Sequence, residues 1–458
     1  MLSEAVIAAF KSNLRGELIA PGDSGYDAAR SVYNAMINRR PRLIARCADV
    51  ADVMAAIKFG REQGLLTAIR GGGHNAGGLG VCDDGLVIDL SPMDYVHVDS
   101  RRRTVLVGAG ALWRHVDHAT HPFGLAVPSG IISTTGVAGL TLGGGIGYLT
   151  RRYGLTIDNL LAVEMVLADG RFVTANAKEN SDLFWAVRGG GGNFGVVTSF
   201  LFKAQPVHTV YGGPMLWRME DAAEIMRWYR RFIATAPNDI YGFFAFHTVP
   251  PWPPFPEHLH NKKMCGIVWC YTGTMKKAEK VFKPMRGFRT PALDLVGPIP
   301  HPALQSLFDR LYPPGMQWYW KADFVKTLSD EAIAQHIRHA EEMPTLQSTM
   351  HLYPINGAVR RVKKSATPWW HRDATWSQVI VGVDPNPANK DRVSKWAKEY
   401  WSALHPYSTG GAYINFMMEE GEDRIRATYG SNYRRLAKTK KRRDPTNFFR
   451  VNQNIKPT

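Results

Sequence analysis

The chain has 458 residues, about three times the length of a typical domain, so we expect two or three structural units with an ample core. Its 45% hydrophobic and 21% charged residues exclude a disordered chain, and four cysteines without a CxxC pair exclude a disulfide scaffold and a cysteine zinc site. The net charge of +16 would suit a polyanionic partner, but no recognised nucleic-acid motif accompanies it, so we expect neither nucleic acid nor metal as a partner.

The N-terminal residues do not resemble a targeting segment. Glu4 interrupts the apolar run that a signal peptide would need, and no stretch of about 18 apolar residues occurs in the chain. We therefore expect a soluble, cytoplasmic protein with no membrane partner.

Residues 41–70 predict a strand, a helix and a second strand. Asp49 is a suitable N-cap for a helix whose apolar residues recur at 3.6-residue spacing, and Gly64 ends that helix. Residues 65–70 then indicate a buried strand that runs directly into the sequence RGGGHN. Ligands commonly bind at such a junction of a strand and a glycine loop.

Glycine is concentrated at three separate places, residues 71–73, 143–145 and 189–192. Glycine allows backbone amides to turn towards an anion and to approach it closely. Neither a phosphate-binding GK[ST] motif nor the Rossmann pattern is present, because the first stretch leads into a loop and a strand rather than a helix. Three dispersed loops therefore favour a long ligand that contains a pyrophosphate, such as a dinucleotide.

The composition changes near Pro206, where glycine becomes rarer and tryptophan and proline accumulate. The following region alternates apolar strand-like segments with helical ones, which predicts a sheet covered by helices on one face. Residues 434–443 are strongly basic and are interpreted as the solvated face of a late helix. The final residues contain Phe448, Phe449 and Ile455, so we expect the tail to return to the first domain.

Four ordered motifs give the chain a specific resemblance. RGGGHN (70–75), PSGIISTTGVAGLTLGGGIGYLTRRYGL (128–155), DLFWAVRGGGGNFGVVT (182–198) and the segment 429–455 together resemble the berberine-bridge-enzyme-like family of flavin-linked oxidases. This family belongs to the vanillyl-alcohol-oxidase superfamily and is similar to bacterial 6-hydroxynicotine oxidases and oligosaccharide oxidases.

The resemblance implies an α+β fold with FAD in a PCMH-type domain of two α/β subdomains. The FAD-binding domain would span 1–206, with its core at about 38–206. A substrate domain with an antiparallel sheet covered by helices would span 207–412, and residues 413–458 would return to the FAD domain.

The family pattern also implies roles for individual residues. His74 matches the histidine that is covalently joined to the flavin, while Ile132 stands where many relatives have a second, cysteine link, so a single link is implied. Thr135 occupies a position that influences access of dioxygen. The cofactor-binding set implied by the resemblance is Arg70, Gly71, Gly72, Gly73, His74, Asn75, Gly130, Ser133, Thr134, Thr135, Gly136, Gly139, Gly143, Gly144, Gly147, Gly195, Val197, Asn452 and Asn454.

The catalytic base is not transferable from the plant relatives. The segment taken to match their glutamate places Arg361 there, and arginine cannot act as a base at neutral pH. A second family pattern, YxN, matches Tyr413 and Asn415, which strand alternation would place on one face. We expect Tyr413 to be the base, assisted at neutral pH either by a nearby cation such as Arg361 or by the acidity of the substrate itself; a packed aromatic is the alternative.

Candidate substrate-pocket residues come from two predicted strands and the second glycine stretch. Trp318 and Trp320 share one strand face, His351 and Tyr353 alternate similarly, and Ile146 replaces a tyrosine common in relatives. The aromatic faces could hold a planar ring or a sugar, or they could simply pack in the core.

We therefore expect an FAD-dependent oxidase that takes a hydride from a CH–OH or CH–NH centre of a small organic substrate. Its FAD would be linked through one histidine and reoxidised by dioxygen, with formation of hydrogen peroxide. The alternatives are a dehydrogenase with another electron acceptor and a non-catalytic basic binding protein on the same fold. The substrate itself and the oligomeric state do not follow from the sequence.

Overall fold

The computed structural model describes residues 2–458 and contains both helices and strands. The helices are α1 Glu4–Ser12, α2 Tyr26–Arg30, α3 Val50–Glu62, α4 Trp113–Thr120, α5 Val137–Gly143, α6 Thr150–Tyr153, α7 Ser181–Val187, α8 Ala222–Thr235, α9 Met275–Phe288, α10 His301–Gln305, α11 Asp330–Glu341, α12 Lys390–Leu404, α13 Glu422–Tyr429 and α14 Tyr433–Arg443. The strands are β1 Glu17–Ile19, β2 Leu43–Arg46, β3 Thr67–Arg70, β4 Leu86–Asp89, β5 Val96–Asp99, β6 Thr104–Gly108, β7 Leu125–Ala126, β8 Leu160–Val166, β9 Phe172–Asn176, β10 Val196–Lys203, β11 Gln205–Pro206, β12 Thr209–Arg218, β13 Ile240–Thr248, β14 Lys263–Tyr271, β15 Leu293–Asp294, β16 Gly297–Pro300, β17 Gln317–Val325, β18 Thr349–Pro354 and β19 Trp376–Asp384.

The first sheet has four strands in the order β1-β2-β4-β3, with β2, β4 and β3 parallel. Helix α3 connects β2 to β3, and the Asp49 side chain accepts hydrogen bonds from the amides of Ala51 and Asp52, as the N-cap prediction requires. Gly64 follows the helix with a φ of +62°, which favours glycine at this turn. Strand β3 is the edge strand of this sheet and is largely buried, and it ends at Arg70, where the chain enters the first glycine loop.

The second sheet has five antiparallel strands in the order β5-β6-β10-β8-β9. Strands β8 and β9 form the hairpin at its edge, and Gly170 makes the turn with a φ of +87°. The second and third glycine stretches lie in the segments between β7 and β8 and between α7 and β10. The two sheets are consistent with the two subdomains expected of this part of the chain.

The third sheet is antiparallel and has eight strands, in the order β15-β12-β14-β13-β18-β19-β17 with β16 beside β12. Helices α8, α9, α11 and α12 cover one face, where side chains such as Ile225, Phe282, Ile333 and Trp396 form a shared core with the strands. The α+β fold with a helix-covered antiparallel sheet is confirmed. The opposite face of this sheet is turned towards the glycine loops.

The C-terminal segment packs against the third glycine stretch. Phe449 and Ile455 are buried, and the amide of Ile455 donates to Asn193 Oδ1 at 2.9 Å. The basic helix predicted at residues 434–443 is present, but Lys440 is buried in it rather than solvated. No helix within residues 2–458 is long and apolar enough to cross a bilayer.

Candidate active site

An elongated cavity separates the glycine loops from the open face of the eight-stranded sheet. Most of the cofactor-binding set predicted from the sequence borders it, namely Arg70, Gly71, Gly72, Gly73, His74, Asn75, Gly130, Thr135, Gly136, Gly139, Gly143, Gly195, Val197 and Asn452. The remaining members of that set, Ser133, Thr134, Gly144, Gly147 and Asn454, do not border it. Of these, Thr134 contacts His74, and Ser133 donates from its hydroxyl to the carboxylate of Asp309.

Glycine is needed at the first loop for close approach of two backbones. A Cβ on Gly72 would lie 2.5 Å from the Cα of Gly136, and one on Gly136 would lie 2.5 Å from the amide nitrogen of Gly72. The loop can therefore pack on the start of helix α5 only without side chains at both positions. Gly73 has a φ of +67°, which turns the chain sharply just before His74.

His74 lies at the end of this loop, between the cavity and an aromatic ring. Its Nε2 is 3.1 Å from Thr134 Oγ1, and its ring stacks on Tyr33 with centroids 3.8 Å apart. Burial lowers the pKa of His74 to about 3, so the imidazole is neutral at physiological pH. With Nε2 paired to Thr134, Nδ1 is the nitrogen left for other chemistry.

Arg70 is the one charged side chain bordering the cavity within residues 2–458. Its Nη2 lies 2.8 Å from Asp89 Oδ2, and both side chains are buried. Asp89 ends strand β4 beside Arg70 at the end of β3, so the parallel register itself places the pair. The ion pair holds the guanidinium against the first glycine loop.

Aromatic side chains form the opposite wall. Trp318 and Trp320 point to the cavity from β17, with ring centroids 6.0 Å apart, and Phe416 lies 5.8 Å from Trp320. Tyr353 of β18 lies 5.6 Å from Phe416. Ile146 also borders the cavity, so the structure brings together all four residues predicted for the substrate pocket.

His351 and Tyr353 form a hydrogen-bonded pair in this wall. They occupy alternate positions of β18, and His351 Nδ1 lies 2.6 Å from Tyr353 Oη. Burial lowers the pKa of His351 to about 3 and raises that of Tyr353 well above its usual value, so both groups are neutral. Their pairing leaves His351 Nε2 as the imidazole nitrogen not used by Tyr353.

The prediction that Tyr413 and Asn415 lie on a strand is wrong. Residues Ile414–Phe416 form a 3-10 turn that packs against helix α5 instead of pairing along a sheet. The turn nevertheless brings the two side chains together, because Asn415 Nδ2 donates to Tyr413 Oη at 2.6 Å. The amide of Gly145 donates to the same oxygen at 3.0 Å.

The prediction that Arg361 assists Tyr413 is also wrong. Strand β18 ends at Pro354, and Arg361 lies beyond it at the end of the turn Gly357–Arg361, where it is exposed and does not border the cavity. Burial therefore raises the pKa of Tyr413 above its ordinary value without a cation to oppose it. Tyr413 is a neutral phenol in this site rather than a phenolate.

Sequence reasoning missed several residues that border the cavity. These include Tyr33, Leu79, Tyr312, Thr349, Phe416 and Gln453. Tyr33 stacks on His74 from a region without regular structure, and no local pattern marks it. Thr349 could have been found from the alternation that places His351 and Tyr353 on the same face of β18.

Comparison with known proteins identifies the class to which this site belongs. Residues 41–176 match the family described as FAD binding domain, and residues 412–456 match the family described as berberine and berberine like. An uncharacterized FAD-linked oxidoreductase of Bacillus subtilis (strain 168) is 31% identical, over 98% of this chain and 98% of its own length. An FAD-linked oxidoreductase of Dictyostelium discoideum is 30% identical, over 99% of this chain and 97% of its own.

A solved structure supports the same assignment. The 6-hydroxy-D-nicotine oxidase of Arthrobacter nicotinovorans has a TM-score of 0.88 and 25% identity, with 100% of both chains covered. The protein belongs to the berberine-like FAD-linked oxidoreductases. The sequence-based predictions of the family, of FAD and of an oxidoreductase are confirmed.

The residues at the cavity fit FAD. Gly139 and Gly192 border it and have no atom within 4 Å of where a Cβ would stand, so a side chain at either position would fill space that is open. Asn452 also borders it, and its buried Oδ1 has no hydrogen-bond partner within residues 2–458. A long ligand with polar groups along its length would occupy the open space beside Gly139 and Gly192 and would donate a hydrogen bond to Asn452 Oδ1.

Proposed function

We propose that the protein is an FAD-dependent oxidase acting on a CH–OH or CH–NH centre of a small organic molecule, with dioxygen as the electron acceptor and hydrogen peroxide as a product. The observation that carries this proposal is the arrangement of the cavity. His74 and the glycine loops line the cavity together with the aromatic wall that carries His351 and Tyr353, and the two linings meet where Tyr33 stacks on His74 and where Gly145 donates to Tyr413. A substrate carbon between the two sides would face a ring held by the loops.

Bound FAD would supply the two-electron acceptor. The glycine loops would approach its phosphates closely, and Asn452 Oδ1 would pair with one of its polar groups. We propose that His74 joins it covalently through Nδ1, since Nε2 is paired with Thr134 and the neutral imidazole has a lone pair to share. Ile132 borders the cavity where a second link would need a cysteine, so one link is proposed.

Tyr413 has a different role from the one expected of a base. Its oxygen already accepts from Gly145 and Asn415, and its raised pKa keeps its own proton in place. We propose that Tyr413 donates this proton in a hydrogen bond to the substrate oxygen or nitrogen. Asn415 orients the phenol and does not itself need to contact the substrate.

The covalent link is tested by acid precipitation of purified protein. The wild-type pellet should stay yellow, and the supernatant of His74→Ala should carry the colour instead. His118→Ala, at an exposed position on α4, is the control and should behave like the wild type. A colourless wild-type pellet would remove the covalent link from the proposal.

Dioxygen as acceptor is tested in a separate experiment. Enzyme reduced anaerobically with dithionite is mixed with aerated buffer, and the return of flavin absorbance is followed together with peroxide. Thr135 borders the cavity and is the residue proposed to admit dioxygen, so reoxidation should take seconds or less in the wild type. Reoxidation over many minutes would favour the dehydrogenase alternative.

A further inference from the structure

The aromatic wall forms a continuous series of rings along the cavity. From His74 it passes to Tyr33, then to Trp318 at 5.0 Å from Tyr33, to Trp320 and to Phe416. Phe416 in turn lies 4.8 Å from Tyr413. Rings at these separations offer edges and faces to a planar aromatic ligand, and such ring pairs stabilise binding beyond the area that they bury.

The charges at the cavity decide whether a charged or an uncharged planar substrate fits it. Arg70 is the one charged side chain bordering it within residues 2–458, and Asp89 already pairs with it. An ammonium group would therefore lose its hydration without gaining a carboxylate partner, which is unfavourable. The cavity is suited to an uncharged substrate.

Polar groups on the substrate side are few and are concentrated in one place. The Thr349 hydroxyl donates to the backbone oxygen of Phe246 at 2.7 Å, so it is already satisfied. Val379 and Val381 present apolar side chains beside it. His351 with Tyr353, Tyr413, and the indole N–H groups of Trp318 and Trp320, which have no partner within residues 2–458, remain for substrate hydroxyls. His351 is the proton acceptor among them, whereas the ring of hydroxyls of a sugar would need several acceptors.

We propose that the substrate is an uncharged aromatic alcohol, whose ring packs on Trp320 and Phe416 and whose hydroxyl lies between Tyr413 and His351, with His351 as the proton acceptor. The inference rests on the proposed function and names the substrate class of the same cavity. Tyr353 is the positioning residue: the proposal assigns His351 the tautomer in which Nδ1–H donates to Tyr353 Oη, 2.6 Å away, which leaves the lone pair of Nε2 free.

The proposed step balances in atoms and charge. The O–H bond of the alcohol breaks and its proton moves to His351 Nε2. The C–H bond breaks with its electron pair, which leaves as a hydride to oxidised FAD, and the C=O double bond of an aldehyde or ketone forms. The proton then passes from His351 to solvent. His351 is neutral before the step because burial lowers its pKa, so the lone pair of Nε2 is available to the hydroxyl. The same burial opposes an imidazolium, so the hydride must leave as the proton moves.

The substrate class is tested with the intact flavoprotein and three probes: 4-methoxybenzyl alcohol, 4-methoxybenzylamine and cellobiose. Anaerobic bleaching of the flavin should be at least tenfold faster with the alcohol than with either of the others. Faster bleaching by the amine or by cellobiose, or no bleaching by any probe, would overturn the substrate inference. The dithionite experiment would still decide the proposed function independently.

Binding gives a readout that does not depend on turnover. 4-Methoxyphenol has a free hydroxyl, and in 1,4-dimethoxybenzene the same oxygen is capped by a methyl group. Perturbation of the flavin spectrum should show that the wild type binds the phenol about tenfold more tightly than the capped compound. Equal affinities for the two compounds would contradict a hydroxyl site in this wall.

The role of His351 is tested with His351→Ala, Tyr353→Phe and the control His118→Ala. For His351→Ala we expect kcat with the alcohol to fall about 100-fold or more while KM changes much less, and added imidazole to restore part of the activity. Tyr353→Phe should lower kcat by about tenfold and leave the ring contacts intact. Unchanged kcat in either variant, or no rescue by imidazole, would overturn the assignment.

Discussion

The two sides of the cavity are built by different means. The cofactor side consists mainly of backbone, because Gly139 and Gly192 leave open the space that a side chain would fill, and Gly72 and Gly136 let the first loop pack directly on the start of helix α5. The substrate side consists of side chains carried by strands β17, β18 and β19 and by the turn at Ile414–Phe416.

This difference follows from what each side has to recognise. A cofactor is the same molecule in every turnover and in every relative, and backbone amides can recognise its phosphates without any particular side chain. A substrate must be distinguished from similar molecules, which requires particular side chains at particular places. Substitutions on the cofactor side should therefore lower the flavin content of the protein, and substitutions on the substrate side should lower its turnover.

The largest effect is expected where the C-terminal segment supports the cofactor side. Lys440 Nζ is fully buried and donates to Asp444 Oδ2 at 2.6 Å, to Asn193 O at 2.7 Å and to Phe449 O at 2.8 Å. Lys440→Met leaves the buried Asp444 charge without its cation, so the free energy of unfolding should fall by about 3–5 kcal/mol. Chemical denaturation measures it.

A matched control lies on the same helix. Lys438 is exposed on α14, so Lys438→Met should change the free energy of unfolding by less than about 0.5 kcal/mol. If the two variants unfold at the same denaturant concentration, Lys440 does not support the third glycine stretch.

The next effect is expected from filling the cofactor side without a backbone clash. Gly139 has no atom within 4 Å of an added Cβ, so Gly139→Val should fold normally and occupy part of the cavity. We expect the purified variant to contain about tenfold less flavin per polypeptide than the wild type. Absorbance at 450 nm relative to 280 nm measures the loading.

Gly287→Ala is the control, because Gly287 lies in helix α9 with nothing within 4 Å and does not border the cavity. It should retain its flavin and gain slightly in stability, since alanine favours a helix. Full loading of Gly139→Val would show that FAD does not pass along helix α5.

Acid should destabilise the substrate-domain side through its buried histidines. His336 Nδ1 lies within hydrogen-bond distance of Tyr400 Oη, at 2.8 Å. Burial lowers the pKa of His336 to about 3, whereas its pKa in the unfolded chain is about 6.5. The unfolded state therefore binds a proton that the folded state does not between these values. The stabilisation is complete above about pH 6.5 and is lost as the pH falls towards 3.

His336→Gln removes this titrating group. The slope of the unfolding free energy against pH should therefore fall by up to about 1.4 kcal/mol per pH unit between pH 6 and 4. Thermal or denaturant unfolding at several pH values measures the slope. Equal slopes in the wild type and the variant would mean that folding does not change the pKa of His336.

The smallest effect is expected from one hydrogen bond on the substrate side. Tyr413→Phe removes the phenol that would donate to the substrate, while the ring and its packing on Phe416 remain. We expect kcat/KM to fall by about threefold to tenfold, the value of a single hydrogen bond of about 1 kcal/mol. A loss of about 1,000-fold would instead restore Tyr413 as the base.

Tyr429→Phe is the control for that variant. Its hydroxyl is buried, has no partner within residues 2–458, and does not border the cavity. Steady-state kinetics with the same alcohol should show no change.

Local patterns were sufficient for much of the fold. The cap at Asp49, the helix α3 and the strand entering the first glycine loop follow from short-range periodicity and capping chemistry. The failures have a shared cause. Tyr413 and Asn415 meet in a turn shaped by helix α5, and Lys440 is buried by a tail that returns to the third glycine stretch, so distant packing overrides the local pattern.

The sequence by itself determined the cofactor side, because backbone recognition leaves a dense and ordered glycine pattern around His74 that can be read along the chain. Only the tertiary structure decided the substrate side. Pairing of β18 with β19 and β13, and the return of the C-terminal segment, bring His351, Tyr353, Trp320 and Tyr413 into one wall. Alternation along β17 and β18 pairs Trp318 with Trp320 and His351 with Tyr353 on common faces, but residues so far apart in sequence carry no signal of which faces meet. Strand register and burial determine that these faces line the cavity and that Arg361 faces solvent.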